Sequence, residues 1–371
     1  IENHKTEIVT LLEQAGEPVN IEDAFSFSTL GEGMGYSSYL WTTFIGERKY
    51  AVKITDPSLR VAEMMKARGN VDKDTLTRLF TEHHNRELQV YRWFQNCPFN
   101  SLAKVVPRFY GGTPCNENKP GLLIMADLSS ESVPVMRAGL DIHTILSIID
   151  GVAAYQSAFL STGDPIDPIP KDLLFTMVSS SVIRCIDVIS AKEWLTEKWK
   201  RALISWADPN VLRSMQYQLE NRDLAHTLCH MDLWTNNLLF TEGNEGLELL
   251  AVVDWQAAAL GNPLLDVASV IGINLNPYER RAQQKYILQH YIDAIERRRH
   301  GFIKEFPIGA VEDLLPSFRR ALRFAALQLV LTLGYRAEED VVEDAAEDER
   351  NSEKLGIYSA RLKGLLEDIV G

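Results

Sequence analysis

The chain has 371 residues, of which 46% are hydrophobic, 24% charged and 9% aromatic, a globular composition that excludes disorder across the whole chain. At about 150 residues per domain, this length predicts two or three folding units. The 51 acidic and 38 basic side chains leave a net charge of −13, the wrong sign for binding nucleic acid through phosphate neutralisation. The four cysteines contain no C-x-x-C pair, which disfavours a zinc ribbon and favours a reducing compartment, so a cytoplasmic protein is expected.

The first third of the chain is predicted to be a short helix followed by a β-rich region with one long helix. Apolar residues three and four positions apart indicate helices, and short runs of β-branched and aromatic residues indicate strands. Gly16 and Pro18 mark the end of the first helix. The predicted elements are a helix over residues 4–15, strands over 25–54 with a hairpin at Gly46, a helix over 66–94 and strands over 109–111 and 122–128.

Beyond residue 128 the pattern is mainly helical, so residues 1–127 and 128–371 are predicted to be two domains. The apolar stretch 321–333 is interrupted by Arg323 and Gln328 and is shorter than the roughly 18 residues of a membrane span, so no segment is expected to cross a membrane. The remaining predicted elements are helices over 142–160, 181–207 and from 278 onward, a buried strand over 247–253, and a solvated acidic helix face or loop over 338–349.

A glycine-rich turn occupies residues 30–38, between the first two predicted strands. Gly31, Gly33 and Gly35 stand at alternate positions, where a glycine backbone can bend closely over a phosphate and present N–H groups to it. A plain hairpin turn explains these glycines about as well. A Rossmann motif would need glycine where Tyr36 stands and a helix to follow, and no Walker-type sequence is present.

Lys53 strengthens the phosphate interpretation, because it stands in an otherwise apolar strand soon after the glycine turn. An ammonium group in that position needs an anion, which phosphate oxygens can supply while a helix carboxylate orients it. Glu87 is the preferred carboxylate on the next helix, and Glu82 is the alternative. A lysine on an edge strand that points to water is the structural interpretation of the same residue.

The strongest local pattern is the sequence HMDLWTNN at residues 230–237. Asp232 and Asn237 can face one loop interior, where the aspartate accepts a hydroxyl proton and the asparagine supplies an oxygen to a metal. Asp254, at the end of the predicted strand 247–253, completes a hard-oxygen Mg²⁺ site with room for ATP phosphates. The ordered set of motifs predicts phosphoryl transfer.

The chain resembles the CHK-kinase-like or ecdysteroid-kinase-like family of the protein-kinase-like superfamily, related to choline kinases and aminoglycoside phosphotransferases. The segments that carry the resemblance are CHMDLWTNN at 229–237, VDWQ at 253–256, MADL at 125–128 and GNPLLD at 261–266. The resemblance implies an α+β, bilobal protein-kinase-like fold. Its β-rich N-terminal lobe, with a helical cap, an antiparallel sheet and one helix, would span 1–127, and its α-rich C-terminal lobe would span 128–371.

The resemblance also implies which residues carry the chemistry. It makes Asp232 the catalytic base and places Mg²⁺ on Asn237 and Asp254. It implies that Lys53 contacts the phosphates of ATP and that Glu87 orients Lys53. The catalytic set implied by the resemblance is Asp232, Lys53, Glu87 and Asn237.

A nucleotide-binding set and two supporting residues follow from the same resemblance. The nucleotide contacts are expected from Lys53, from the turn through Gly31, Gly33, Gly35, Ser37 and Ser38, and from the backbone at Met125, Ala126 and Leu128, which would hold adenine. His230 and Asp266 are expected to support the catalytic loop by hydrogen bonds. The family often has glycine where Met231 stands, glutamate where Ala126 stands and histidine near Gln156.

A small acceptor is favoured over a protein substrate. The short separation of Asp254 and Asp266 leaves little room for the activation segment that docks peptides in protein kinases, and Met231 replaces the arginine that would neutralise a phosphorylated segment. We therefore expect an ATP- and Mg²⁺-dependent kinase for a hydroxyl of a sterol-like, choline-like or other small alcohol, with no protein partner. A pseudokinase scaffold is the alternative, and a protein kinase is less favoured. Three tryptophans either wall the acceptor pocket or belong to the core: Trp194, Trp199 and Trp206.

Overall fold

A computed structural model of the protein divides the chain into two units. The first contains Ile1–Val133 and Leu250–Ala258, and the second contains Pro134–Leu249 and Ala259–Gly371. The structure describes residues 1–30, 38–68, 72–99, 102, 105–135, 139–163, 171–190, 192, 194–217, 225–301, 309–339 and 345–371.

The described residues of the first unit form one antiparallel sheet and three α-helices. In chain order the elements are α1 (Lys5–Gln14), β1 (Phe25–Thr29), β2 (Tyr39–Ile45), β3 (Arg48–Thr55), α2 (Pro57–Arg68), α3 (Lys73–Asn96), β4 (Phe109–Thr113) and β5 (Gly121–Ala126). The strand order is β1-β2-β3-β5-β4, and all neighbouring strands are antiparallel. Gly46, at φ 59°, makes the turn from β2 to β3 in a left-handed conformation that glycine adopts without steric cost.

The two faces of β3 have different neighbours because successive side chains of a strand point to opposite faces of the sheet. Tyr50, Val52 and Ile54 belong to an apolar cluster with α1, through residues such as Ile8 and Leu12. The alternate residues of β3 therefore face helix α3. This alternation places a lysine, at position 53, on the α3 face of the sheet.

The second unit is mainly helical. In chain order its elements are α4 (Ile142–Thr162), α5 (Lys171–Ile189), α6 (Glu197–Trp206), α7 (Pro209–Tyr217), β6 (Thr227–Cys229), β7 (Leu238–Glu242), β8 (Leu247–Val252), β9 (Ala259–Gly261), α8 (Leu264–Asn274), α9 (Pro277–Glu296), α10 (Val311–Glu339) and α11 (Ala345–Val370). Strands β6 and β9 form one small sheet and β7 and β8 another, and the boundary between the units falls inside β8.

The core of the second unit is built around apolar helices. Every residue of α8 is buried, as expected for a helix that is apolar on all sides, and α10 packs against α8 and α5. Among the described residues one helix, Ile142–Thr162, has the length and hydropathy of a membrane crossing, but 78% of its apolar window is buried inside the protein. Such burial is typical of a core helix.

The predicted α+β class, with a sheet region first and helices after it, is confirmed, whereas several boundaries differ from the prediction. The predicted helix over 66–94 corresponds mainly to α3, which begins at Lys73, whereas most of α2 lies outside the prediction. The predicted helix over 181–207 is two helices, α5 and α6. The first unit extends to Val133 rather than to residue 127, and it also includes the later segment Leu250–Ala258. A long-range backbone hydrogen bond of 2.7 Å, from Val252 to Val105, helps hold this returning segment.

Candidate active site

A buried lysine bound to two carboxylates lies within the first unit. Lys53 Nζ donates hydrogen bonds to Glu87 Oε2 and to Asp254 Oδ1, each at 2.6 Å. Lys53 is 9% exposed and Glu87 is 1% exposed. Because Lys53 is on β3, Glu87 on α3 and Asp254 just beyond β8, three separate chain segments meet at one ammonium group. We call these three residues the Lys53 group.

Helix α3 decides between the two glutamates that the sequence left open. Spacings of three and four residues define its buried stripe, which includes Leu76, Phe80, His84, Glu87, Leu88 and Tyr91. Glu82 lies off that stripe and is half-buried. The residue that pairs with Lys53 is therefore Glu87, the preferred alternative.

Burial and the two short ion pairs set the charges of the Lys53 group. Burial lowers the pKa of Lys53, but Asp254 and Glu87 raise it more, so the net shift is upward and the ammonium stays charged. Burial raises the pKa of Glu87 to about 7, against the lowering effect of Lys53. One cation serves two carboxylates, so a further proton or metal cation at this position is electrostatically favourable.

The segment that follows β8 is strained and firmly packed. Asp254 has φ 65° and ψ 60°, a left-handed conformation that costs a non-glycine residue about 1 kcal/mol or more. The buried ring of Trp255 packs edge-on against Phe94, with 4.8 Å between centroids. Arg86 Nη1 donates a hydrogen bond of 2.8 Å to the Ala258 carbonyl. These contacts hold Asp254 in its strained conformation beside Lys53.

The residues predicted to hold adenine lie at the end of β5. Met125 is a strand residue of β5, and the Ala126 N–H donates to the Arg108 carbonyl at 2.8 Å. The Leu128 carbonyl accepts hydrogen bonds from two N–H groups of the turn that follows, at 3.0 and 2.9 Å. Two of the candidate backbone groups therefore have partners within the protein, which narrows the predicted adenine contacts to the other groups of this segment.

Only one residue of the predicted phosphate-covering set is described. Ser38 is hydrogen-bonded through Oγ to Thr55 Oγ1 at 2.8 Å, at the start of β2. The contribution of the turn to nucleotide binding stays a prediction. The other members lie outside the described residues: Gly31, Gly33, Gly35 and Ser37.

A second group of side chains lies within the second unit, in the loop that follows β6. Asn237 Nδ2 donates to Asp232 Oδ2 at 2.9 Å and to the Asp232 carbonyl at 2.8 Å. The Asp232 N–H in turn donates to His230 Nδ1 at 3.2 Å, so His230 carries its proton on Nε2 when neutral. The predicted pair of Asp232 and Asn237 thus meets in one loop, which we call the Asp232 loop (residues 230–237).

The buried carboxylate of Asp266 anchors the Asp232 loop. Its Oδ2 accepts from the His230 N–H at 2.7 Å and from the Tyr155 hydroxyl at 2.6 Å, and its Oδ1 accepts from the Met231 N–H at 3.0 Å. Burial raises the pKa of Asp266, while the charge of His230 and these hydrogen bonds act in the lowering direction. His230 and Asp266 thus take part in hydrogen bonds within the loop, which is where the resemblance places their supporting role.

Met231 is, with Asp254, one of the two non-glycine residues at positive φ in the described part of the chain, at φ 68°. This value explains why glycine suits the position, since glycine alone enters the left-handed region freely. The left-handed conformation of Met231 turns the chain immediately before Asp232. Of the two strained residues, Met231 therefore immediately precedes the predicted catalytic base, and Asp254 is a predicted metal ligand.

Oxygen donors suited to a divalent cation are present in both groups. In the second unit, Asn237 Nδ2 is bound to Asp232, which leaves Oδ1 as the amide oxygen suited to a cation. In the first unit, Asp254 has two carboxylate oxygens, of which Oδ2 also accepts from Gln256. In the described ranges no cluster of three or more His, Cys, Asp or Glu side chains is arranged for a metal. Mg²⁺ commonly binds one or two protein oxygens together with substrate phosphates and water, so the oxygens of each group, taken separately, are of a type that fits Mg²⁺.

Sequence reasoning missed Arg86 and Tyr155, which support the two groups. Arg86 immediately precedes Glu87 in the sequence, but only the structure shows that it is buried. Tyr155 and Gln156 interrupt an apolar helix, and Gln156 bonds to the Pro263 carbonyl and to the Tyr291 hydroxyl. A polar pair inside an apolar core helix is a sign of a buried hydrogen-bond network.

Comparison with known proteins identifies the fold. The structure of choline kinase from Cryptosporidium parvum Iowa II is similar, with a TM-score of 0.54, 12% identity and coverage of 98% of this chain and 97% of that chain. A proposed aminoglycoside phosphotransferase from Ralstonia eutropha JMP134 is similar, with a TM-score of 0.51, 15% identity and coverage of 98% of both chains. Identities this low establish the fold alone, and the fold is kinase-like.

Sequence comparison agrees with that fold. The uncharacterized kinase-like protein D1044.1 of Caenorhabditis elegans is 21% identical over 294 residues, which cover 76% of this chain and 75% of that protein. Residues 47–371 match the family DUF1679, which carries the description "Uncharacterized oxidoreductase dhs-27". Since that match covers most of the chain, the protein belongs to the DUF1679 family, a family of kinase-like fold.

Proposed function

We propose that this protein is an ATP- and Mg²⁺-dependent kinase that transfers the γ-phosphoryl group to a hydroxyl of a small acceptor. The observation that carries the proposal is the buried Lys53 ammonium held between Glu87 and Asp254. A fully ordered cation in a sheet interior costs desolvation energy, and binding the phosphates of a nucleotide is a function that explains this cost. The acceptor is a sterol-like, choline-like or other alcohol.

Lys53 has the hydrogen-bonding capacity that phosphate binding requires. An ammonium group has three N–H donors, and its two ion pairs use two of them. The side chain keeps 11% of its surface exposed, which gives a phosphate oxygen access to the third donor. Glu87 orients the lysine, and Asp254 offers an oxygen to the cation that accompanies ATP.

In the proposed reaction, Asp232 orients the acceptor hydroxyl and accepts its proton. The hydroxyl oxygen forms a bond to the γ-phosphorus while the bond from that phosphorus to the bridging oxygen of ADP breaks. Asn237, by donating to Asp232 Oδ2, fixes the direction of the carboxylate. Asn237 and Asp254 would hold Mg²⁺, which when bound neutralises charge on the phosphates.

The oxidoreductase wording of the family description does not fit the sheet. Dinucleotide-dependent oxidoreductases of the Rossmann type bind their cofactor at the edge of a parallel sheet. Every strand pair of the first unit is antiparallel. This geometry, together with the Lys53 group, favours the kinase proposal.

The expected environment and partners belong to the same proposal. All four cysteines are free thiols, which suits a reducing, cytoplasmic setting. A net charge of −13 disfavours nucleic acid as a partner.

Trp206 is buried with the Arg323 guanidinium 5.6 Å from its ring centre, so it belongs to the core of the second unit rather than to an acceptor pocket.

Labelled ATP with Mg²⁺ and a panel of sterols, amino alcohols, aminoglycosides and a generic protein tests the proposal. We expect Asp232→Asn to lower transfer at least about 100-fold with little change in the Kd for Mg-ATP. Lys53→Met should weaken Mg-ATP binding about 10-fold or more, because a charged hydrogen bond is lost. Asp187→Asn, an exposed substitution of the same type, is the control.

Three outcomes separate the alternatives. Transfer by Asp232→Asn at the wild-type rate would refute the assignment of the base. Binding of Mg-ATP without transfer to any acceptor would favour the pseudokinase scaffold. Transfer to the generic protein alone would favour a protein kinase.

A further inference from the structure

Helix α10 contacts the Asp232 loop through Gln328. Gln328 Nε2 donates a hydrogen bond of 3.1 Å to the Met231 carbonyl, 97 positions away in the chain. On the other side of the amide, Gln328 Oε1 accepts from Ser269 Oγ, on α8, at 2.5 Å. Gln328 is half-buried and Ser269 is fully buried.

The orientation of the Gln328 amide follows from its two neighbours. The Met231 carbonyl can only accept, so the NH₂ end of the amide must face it. The oxygen end then faces the hydroxyl of Ser269. Of the two acceptors near Ser269 Oγ, Gln328 Oε1 at 2.5 Å is closer than the Leu265 carbonyl at 3.0 Å, so the hydroxyl donates to Gln328. Gln328 is therefore held in one orientation.

The peptide group between Met231 and Asp232 is bound at both of its polar atoms. Its C=O accepts from Gln328, and its N–H donates to His230 Nδ1 at 3.2 Å. The preceding peptide is bound through the Met231 N–H to Asp266. These bonds surround a residue at φ 68°, a conformation that methionine would otherwise avoid.

We propose that Gln328, oriented by Ser269, is a positioning residue that holds Met231 in its left-handed conformation and so aims Asp232. The inference rests on the proposed kinase function for its effect on catalysis. Rotation of this peptide plane would displace the Asp232 side chain, and a misplacement of about 1 Å can cost about 100-fold in rate. It also accounts for a polar residue in the apolar stretch 321–333, which had no assigned role.

Gln328→Met tests the proposal, because it keeps the length of the side chain and removes the donor. Gln289→Met makes the same change at an exposed position of α9 and is the matched control. Ser269→Ala removes the hydroxyl that orients the amide and should produce a smaller effect in the same direction. The readouts are hydrogen exchange of the His230 and Met231 amides, kcat for phosphoryl transfer and the Kd for Mg-ATP.

We expect Gln328→Met to speed exchange of the loop amides and to lower kcat about 10- to 100-fold, with the Kd for Mg-ATP nearly unchanged. In a Met231→Gly background the same substitution should cost less, because glycine occupies the left-handed region without support. Rescue of this kind would not follow from a purely structural role of Gln328.

The outcomes that overturn the proposal are distinct from failure of the proposed function. Unchanged amide exchange in Gln328→Met would show that Gln328 does not hold the Met231 conformation, whatever the activity. Faster exchange with unchanged kcat would refute the positioning role of Gln328, and an equal loss of kcat in both backgrounds would refute action through Met231. Faster exchange in a protein that phosphorylates no acceptor would support the hold of Gln328 on the Met231 conformation and refute the kinase proposal.

Discussion

The Lys53 group and the Asp232 loop are held by different forces. In the first unit, one buried ammonium binds two carboxylates at 2.6 Å each, so charge fixes the side chains. In the second unit, one buried carboxylate, Asp266, accepts two backbone N–H groups and a tyrosine hydroxyl, so hydrogen bonds fix the backbone. The first arrangement fixes the positions of three charged side chains, and the second fixes the shape of a loop.

Because of this difference, we expect the two groups to respond to different perturbations. A group held by charge responds to pH and to any change of charge, because its energy depends on protonation states. A loop held by backbone hydrogen bonds responds to loss of their common acceptor, because each buried N–H left unpaired costs about 1–3 kcal/mol. Three predictions test the contrast.

The largest effect is expected at the anchor of the loop. Asp266→Ala leaves the His230 and Met231 N–H groups and the Tyr155 hydroxyl without their acceptor, so the free energy of unfolding should fall by about 3 kcal/mol or more. Urea denaturation measures the loss. Tyr155→Phe removes one of the three bonds and should cost about 1 kcal/mol. A loss below about 1 kcal/mol in Asp266→Ala would contradict the idea that one carboxylate holds the loop.

A smaller, pH-dependent effect is expected in the Lys53 group. The folded protein holds the Glu87 proton more tightly than the unfolded chain, since the pKa rises from 4.5 to about 7. Stability attributable to this proton is present at low pH and is lost as pH rises from 4.5 to about 7. Relative to wild type, Glu87→Gln should therefore gain about 2 kcal/mol in unfolding free energy between pH 5 and pH 8.

The difference between the two proteins isolates Glu87 from other titrating groups. Burial lowers the pKa of His83 and of His84 to about 4, which makes both proteins lose stability as the pH falls from 6.5 towards 4. That contribution cancels between wild type and Glu87→Gln. Glu82→Gln, on the same helix but off its buried stripe, is the control and should run parallel to wild type. A pH-independent difference for Glu87→Gln would contradict the charge-held description.

The smallest effect is expected at Met231. Met231→Gly relieves about 1 kcal/mol of strain at φ 68° but adds backbone entropy to the unfolded chain, so a net stabilisation of about 0.5 kcal/mol is expected. Denaturant midpoints measured on both proteins, with equal slopes, provide the test. Destabilisation by 1 kcal/mol or more would show that methionine packing outweighs its strained backbone.

The motifs in the sequence located most of the candidate side chains, because residue type and local spacing carry the chemistry. Lys53 in an apolar strand and Asp232 five positions before Asn237 are such local signals, and each forms a bond with a predicted partner. The choice of Glu87 over Glu82 needed the rotation of α3 against the sheet. The return of Leu250–Ala258 to the first unit needed contacts distant in sequence, which no local pattern records.

The sequence by itself determined the class of the fold, the order of a sheet region before a helical one, and the residue types on which the proposed phosphoryl transfer depends. These follow from periodicity and from short motifs, which are properties of neighbouring residues. Only the tertiary structure decided which carboxylates share Lys53, that Tyr155 joins Asp266 in anchoring the loop, and that Gln328 reaches Met231. Those pairings depend on how distant segments pack, and packing is settled by burial and geometry across the whole unit.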